Sequence, residues 1–142
     1  MVGWGAYESM RYPRAITLYS EHIRDWPNDK DGFFYRALAY KRSNDDVKAL
    51  DDFLKAIELD VEYLDAYLHI DYLLAKESRY KEIISHWSSY IQNVKTNGRA
   101  YLERGGAYKR SGNRDFALID AKKACDLGEN PGCQLLQKYS NP

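Results

Sequence analysis

Ala39-Tyr40-Lys41-Arg42-Ser43 returns letter for letter as Ala107-Tyr108-Lys109-Arg110-Ser111, at an offset of 68 residues, which is twice 34. Working outward at that spacing, Phe33, Tyr67 and Tyr101 fall in register, as do Tyr40, Leu74 and Tyr108. Ala49, Ile83 and Ala117 match in the same way, and so do Ala56, Tyr90 and Ala124. One step back, Ala15 aligns with Ala49, Tyr19 with Phe53 and Pro27 with Val61, so an incomplete unit precedes the three full ones. Self-similarity at a period of 20 to 50 residues marks an architecture of repeated supersecondary units.

Each period reads as two helices. Ser43-Asn44-Asp45 and Ser111-Gly112-Asn113 are turn clusters midway through their units, where a chain can reverse. Small residues face each other across the bend, Ala37 with Ala49 and Gly105 with Ala117, so two backbones can approach closely while larger neighbours fill the space to the next unit. Pro13 stands where a helix could begin without missing its N–H, and Asn130-Pro131 offers a cap and first-turn proline for a last short helix. The pattern predicts helices near 3–11, 14–25, 31–42, 46–59, 64–77, 80–94, 98–110, 114–127 and 131–139.

The order of aromatic, small, Tyr, Ala, aromatic, Ala resembles the tetratricopeptide (TPR) repeat. Phe33, Ala37, Tyr40, Ala49, Phe53 and Ala56 carry it in one unit; Tyr101, Gly105, Tyr108, Ala117 and Ala124 carry it in another, with Ala121 where an aromatic is usual. The resemblance implies an all-α, TPR-type α-solenoid of antiparallel helix hairpins wound as a right-handed superhelix. It implies a single domain over 1–142: a partial first repeat 1–29, repeats 30–63, 64–97 and 98–131, and a terminal capping helix 131–139.

Bulk properties narrow the function. With 142 residues and 44% hydrophobic residues the chain can bury a core. Lys+Arg and Asp+Glu both number 21, so the broad positive field that drives nucleic-acid affinity is missing. No apolar run approaches the roughly 20 residues of a membrane span. The N-terminus lacks the pattern of a signal peptide, so a cytoplasmic location is expected, with a periplasmic or secreted one as the alternative if a signal was removed.

Residues with catalytic potential are sparse. His22, His69 and His86 never share one helical face at four-residue spacing, although Asp65 lies one turn before His69. A metal site normally needs three or four ligands, so none is expected, and neither is a cofactor. Gly-rich phosphate loops and nucleophile elbows are absent; Gly105-Gly106 is better read as close helix packing. The third unit departs furthest from the pattern, with Asp71 and Ile83 at the close crossing and Tyr90 in place of Ala. That is either a functional distortion or a tolerated one.

Comparison between units exposes one correlated pair. Arg36 and Arg104 share a place on the first helix, Asp52 and Asp120 share a place on the second, and both are lost together in the third unit as Ile70 and His86. Contact within each unit is expected, against the alternative of separately solvated charges; an exposed pair would contribute under about 1 kcal/mol. Cys125 and Cys133 fall on consecutive antiparallel helices, where either a bridge or two reduced thiols is possible. Ala124-Cys125-Asp126-Leu127-Gly128, with Gly132-Cys133 and Leu135, resembles the Sel-one-like repeats. That resemblance implies a disulfide, though the 34-residue period and the lack of cysteines elsewhere depart from that family.

In TPR arrays the first helices line a concave groove. Carried onto this chain, the partner-binding candidates are Trp4, Phe34, Leu38, Lys41, Arg42, Leu68, His69, Tyr72, Lys76, Arg99, Leu102, Lys109 and Arg110, with Glu103 among them. Aromatic anchors beside cations suit a protein or peptide segment with acidic residues. Lys41, Arg42, Lys109 and Arg110 also suit last helical turns for reasons of the helix dipole alone. The Lys, Asn and Arg clamp with which some TPR proteins grip chaperone tails is replaced here by residues such as Phe34, Tyr35, Leu68, Tyr72 and Glu103. The expected function is a protein-interaction module, adaptor or scaffold, that binds a peptide or helix. The alternatives are a dedicated inhibitor or immunity-type partner of one protein and, less favoured, an enzyme using His69 and Asp71. The incomplete first repeat leaves an apolar helix face that self-association into a homo-oligomer would close.

Overall fold

The computed structural model describes residues 4–140, with side chains from residue 11 onward. Eight helices account for them: α1 (Trp4–Asp25), α2 (Lys30–Arg42), α3 (Asp46–Leu59), α4 (Leu64–Lys76), α5 (Tyr80–Asn93), α6 (Gly98–Arg110), α7 (Arg114–Asp126) and α8 (Asn130–Ser140). Among the described residues there is no strand. From Lys30 onward the helix boundaries fall within a residue or so of those expected from the 34-residue pattern.

The reversals are built from local chemistry. Asn44 and Ser78 take the left-handed conformation (φ 64° and 56°), and Gly112 does so at 85°, three places spaced by 34. Asp45 and Asn113 then cap the following helices by accepting from the backbone N–H of Lys48 and Phe116. Ser43 and Ser111 each donate their hydroxyl back to a carbonyl in the preceding helix, Tyr40 and Tyr108, at 2.9 Å. Asp29 and Asn97, 68 residues apart, cap α2 and α6 in the same way as each other.

At Pro13 the structure differs from the expected break. The proline lies inside α1, which runs unbroken for 22 residues. Proline removes one hydrogen bond and crowds the preceding turn, yet it does not itself reverse a chain. At the corresponding bends of the later repeats the reversal turns on a left-handed residue, Asn44, Ser78 or Gly112, whereas Arg11-Tyr12-Pro13-Arg14 is helical throughout.

The chain divides into two compact units, Met1–Leu73 and Leu74–Pro142. In the first, α2 packs on α1 and α3 around Phe33, Phe34, Ala37, Phe53 and Ala56, and Ala66, Tyr67 and Ile70 of α4 are buried with them. Ala37 and Ala49 are both fully buried. In the second unit α6 packs on α5 and α7, and α7 on α8, around Trp87, Tyr90, Tyr101, Ala117 and Ala124. A Cβ added at Gly105 would lie 3.0 Å from the Asp120 Cβ and 3.3 Å from the Ala117 carbonyl, so the α6–α7 crossing needs glycine. Gly106 is a correction: a Cβ there would meet nothing within 4 Å, so close packing does not explain it.

Candidate functional site

The first unit brings several of the expected binding residues together on α2 and α4. Phe34 lies at the base, buried, with its ring 5.5 Å from Phe53, 4.9 Å from Tyr63 and 5.7 Å from His69. It therefore supports the surface from beneath, where the sequence pattern placed it on the groove floor. His69 stacks on Phe53 at 4.8 Å and 1°. The Lys41 ammonium donates to His69 Nδ1 at 3.1 Å and lies over the Tyr72 ring, 4.4 Å from its centre. Tyr72 is 53% exposed, Arg42 is exposed at the end of α2, and Leu38 and Leu68 are half-buried.

Burial, and then the Lys41 charge, hold the His69 pKa below the usual histidine range. A neutral ring accepting at Nδ1 carries its proton on Nε2. A cation lying on an aromatic face is held in place before any ligand arrives. The result is a braced patch: apolar ring, ammonium and exposed phenol, each fixed by the next.

Trp4 opens α1, but its side chain lies outside the described residues. The remaining candidates belong to the second unit. Arg99 is bound along its own helix to Glu103 at 2.7 Å, Leu102 is half-buried, and Lys76, Lys109 and Arg110 are exposed. Asp71, in the first unit, is half-buried and engaged in a contact. The described residues hold no group of three or more His, Cys, Asp or Glu placed to share a metal ion.

The two expected ion pairs are present and closely alike. Arg36 Nε and Nη2 donate to the two Asp52 oxygens at 2.7 and 2.8 Å; Arg104 does the same to Asp120 at 2.8 and 2.7 Å. Both carboxylates are buried, so these pairs are internal. Sequence comparison missed a third member: Arg36 Nη1 also donates to Ser20 Oγ, and Arg104 Nη1 to Ser88 Oγ, each at 3.2 Å. Ser20 and Ser88 are again 68 apart, a signal available in the alignment. Each arginine thus joins its own hairpin to the helix before it.

Cys125 and Cys133 are joined as a disulfide between α7 and α8, with Cα atoms 4.7 Å apart. Gly132 permits this approach, because a Cβ there would come 2.6 Å from the Ala121 carbonyl. No described helix is long and apolar enough to cross a membrane.

Comparison with solved structures shows the same fold. The chain is similar to MamA, as the RS-1 ArsTM double mutant, with a TM-score of 0.70 and 23% identity over 88% of this chain and 71% of that one. It is similar to YrrB, described as a TPR protein with an unusual peptide-binding site, with a TM-score of 0.68 and 21% identity over 94% of this chain and 68% of that one. These likenesses identify the architecture as the TPR-type all-α fold of antiparallel helix hairpins. A 65-residue stretch is 35% identical to Hsp70-Hsp90 organizing protein 3 of Arabidopsis thaliana, covering 46% of this chain. The chain spans 12% of the length of that relative. No protein-family model matches the chain.

Proposed function

We propose that this chain is a protein-interaction module that holds a peptide or helical segment of a partner protein against the exposed side of α2 and α4. The observation that carries the proposal is the braced patch of Lys41, His69 and Tyr72. An exposed phenol sits under an ammonium that is bound to His69, and the His69 ring in turn rests on the buried Phe34 and Phe53 rings. Aromatic residues fixed on a packed base are the usual anchors of protein recognition, because little side-chain entropy is lost on binding. YrrB, which shares the fold, is described as having a peptide-binding site, and that supports the same use here.

Lys41 and Arg42, which flank this patch at the end of α2, favour a partner segment with acidic residues. The likeness to the organizing protein does not extend the proposal to chaperone tails, since Phe34, Tyr35, Leu68, Tyr72 and Glu103 stand where a carboxylate clamp needs Lys, Asn and Arg. In this proposal the Cys125–Cys133 hairpin, with its likeness to Sel-one-like repeats, serves to close the end of the array.

The test is a peptide-library capture followed by titration. Tyr72→Ala is expected to weaken the selected acidic ligand at least tenfold while leaving the thermal midpoint within about 2 °C, since the side chain is largely exposed. Unchanged affinity on Tyr72→Ala would place the binding surface elsewhere.

A further inference from the structure

Between α1 and α2 the first unit has a cavity of about 440 Å³, lined by Ala15, Leu18, Tyr19 and His22 of α1 and by Asp29, Asp31, Gly32 and Tyr35 on the α2 side. The 34-residue register gives it a meaning. Ala15, Tyr19 and His22 are the counterparts of Ala49, Phe53 and Ala56; Asp29 and Tyr35 are the counterparts of Tyr63 and His69. The Tyr19 and Tyr35 rings stack at 5.9 Å and 18°, as Phe53 and His69 do at 4.8 Å and 1°. One unit later the same space is filled. Phe34 covers Phe53, Tyr63 and His69, Ala37 lies at the crossing, and Ala49, Phe53 and Ala56 have no exposure left. Leu18, on the open side, is 56% exposed.

From this we infer that the α1–α2 cavity is a seat for one helix of a partner protein, a basic amphipathic helix carrying the Lys30, Phe34, Ala37 and Lys41 spacing of α2. The apolar part of the fit comes from the register: an aromatic packs edge-on against the stacked Tyr19 and Tyr35 rings, as Phe34 does against Phe53 and His69, and a small residue three places on lies against Ala15. The charge follows from the rim. Asp29 and Asp31 face the cavity, and His22 hydrogen-bonds Asp29 at 2.7 Å and holds its carboxyl below the usual range. The neighbouring cation, Lys30, is committed to Asp60 at 2.5 Å. In the filled unit the Lys30 ammonium lies 5.2 Å from the ring of Tyr63, the counterpart of Asp29. A guest lysine at that place would therefore meet Asp29.

A second copy of this chain fits less well. Its α2 is buried in its own hairpin, and its α8 puts Leu136 and Tyr139 at the places of Phe34 and Ala37. A tyrosine cannot take the place of the small residue against Ala15.

The probe is a capped peptide of residues 30–42 bearing Asp31→Lys, stapled on its outer face because a helix this short is marginal in water, and labelled for fluorescence anisotropy with the full chain. Saturable one-to-one binding is expected, weakened at least tenfold by Leu18→Asp or Ala15→Arg in the protein and by Phe34→Ala in the peptide. Tyr72→Ala in the protein should leave it unchanged, which separates this seat from the α2–α4 patch. Leu18 is mostly exposed, so its variant retains the fold even if Ala15→Arg does not. Binding indifferent to Leu18→Asp, or lost with Tyr72→Ala, overturns the proposal. So does a dimer of the unliganded chain in sedimentation velocity that Leu18→Asp dissociates, since the seat then belongs to a second copy.

Discussion

Arg104 makes three hydrogen bonds with one guanidinium, two to Asp120 and one to Ser88, and Arg36 repeats them with Asp52 and Ser20. The carboxylates are the buried partners, so removing the cation leaves a charge that water cannot reach. Arg104→Met is expected to destabilise by about 3 kcal/mol in urea unfolding, and the double variant Arg104→Met, Asp120→Leu by clearly less. Equal losses in the two variants would contradict an internal pair. The sequence pattern disclosed the partners but not this magnitude, because burial is set by what packs over the pair. The adjacent glycines make the same distinction. Gly106→Ala should stabilise by about 0.5–1 kcal/mol, since its Cβ enters open space and helix entropy is regained. Gly105→Ala should destabilise, since the Asp120 Cβ and the Ala117 carbonyl must give way. Urea midpoints moving in opposite directions would bear this out.

Among elements, α1 and α8 are the informative ones. The register places a turn before Pro13, but a periodic pattern records only where buried residues recur, and a helix that continues past its last partner satisfies it equally well. What stops a helix is local: Asn44, Ser78 and Gly112 in the left-handed region, followed where the side chain allows by a cap. That chemistry is legible in the sequence and ends α2, α4 and α6, whereas α3 and α5 end where Asp60 and Val94 turn out of helical backbone. At the other end, α8 is tied to α7 by Cys125–Cys133 and by the close approach of Gly132. The bridge spans a sequence separation of 8, a short loop, so chain entropy limits its stabilisation to about 2.5 kcal/mol. Cys125→Ser with Cys133→Ser should lower stability by no more than that and speed hydrogen exchange chiefly in α8. Faster exchange throughout the chain would instead mean that α8 folds cooperatively with the rest.

At the scale of the whole molecule, the two compact units each contain a histidine whose pKa is held down, His69 in the first and His86 in the second, both chiefly by burial. The sign follows from proton uptake. The unfolded chain protonates these imidazoles near pH 6.5, while the folded chain resists protonation until lower pH. Their contribution is therefore complete above about pH 6.5 and is lost as the pH falls through 6.5 and on through the lower folded values. The thermal midpoint should drop between pH 7.5 and 5.5, and His69→Gln or His86→Gln should flatten part of that drop. A midpoint independent of the two histidines would mean that carboxylates govern the acid limb. By itself, the sequence determined the helical period, the turns, the small residues at the crossings and the arginine–aspartate partners, all of them local features or features repeated in register along the chain. Only the tertiary structure decided that Phe34 lies beneath the binding patch, that Lys41 braces His69 and Tyr72, that α1 runs through Pro13, and that a cavity stands open beside Tyr19 and Tyr35. A repeat says which residues occupy equivalent places, but exposure depends on whether a neighbour covers that place, and at the α1–α2 cavity no described side chain takes the part that Phe34 plays one unit later.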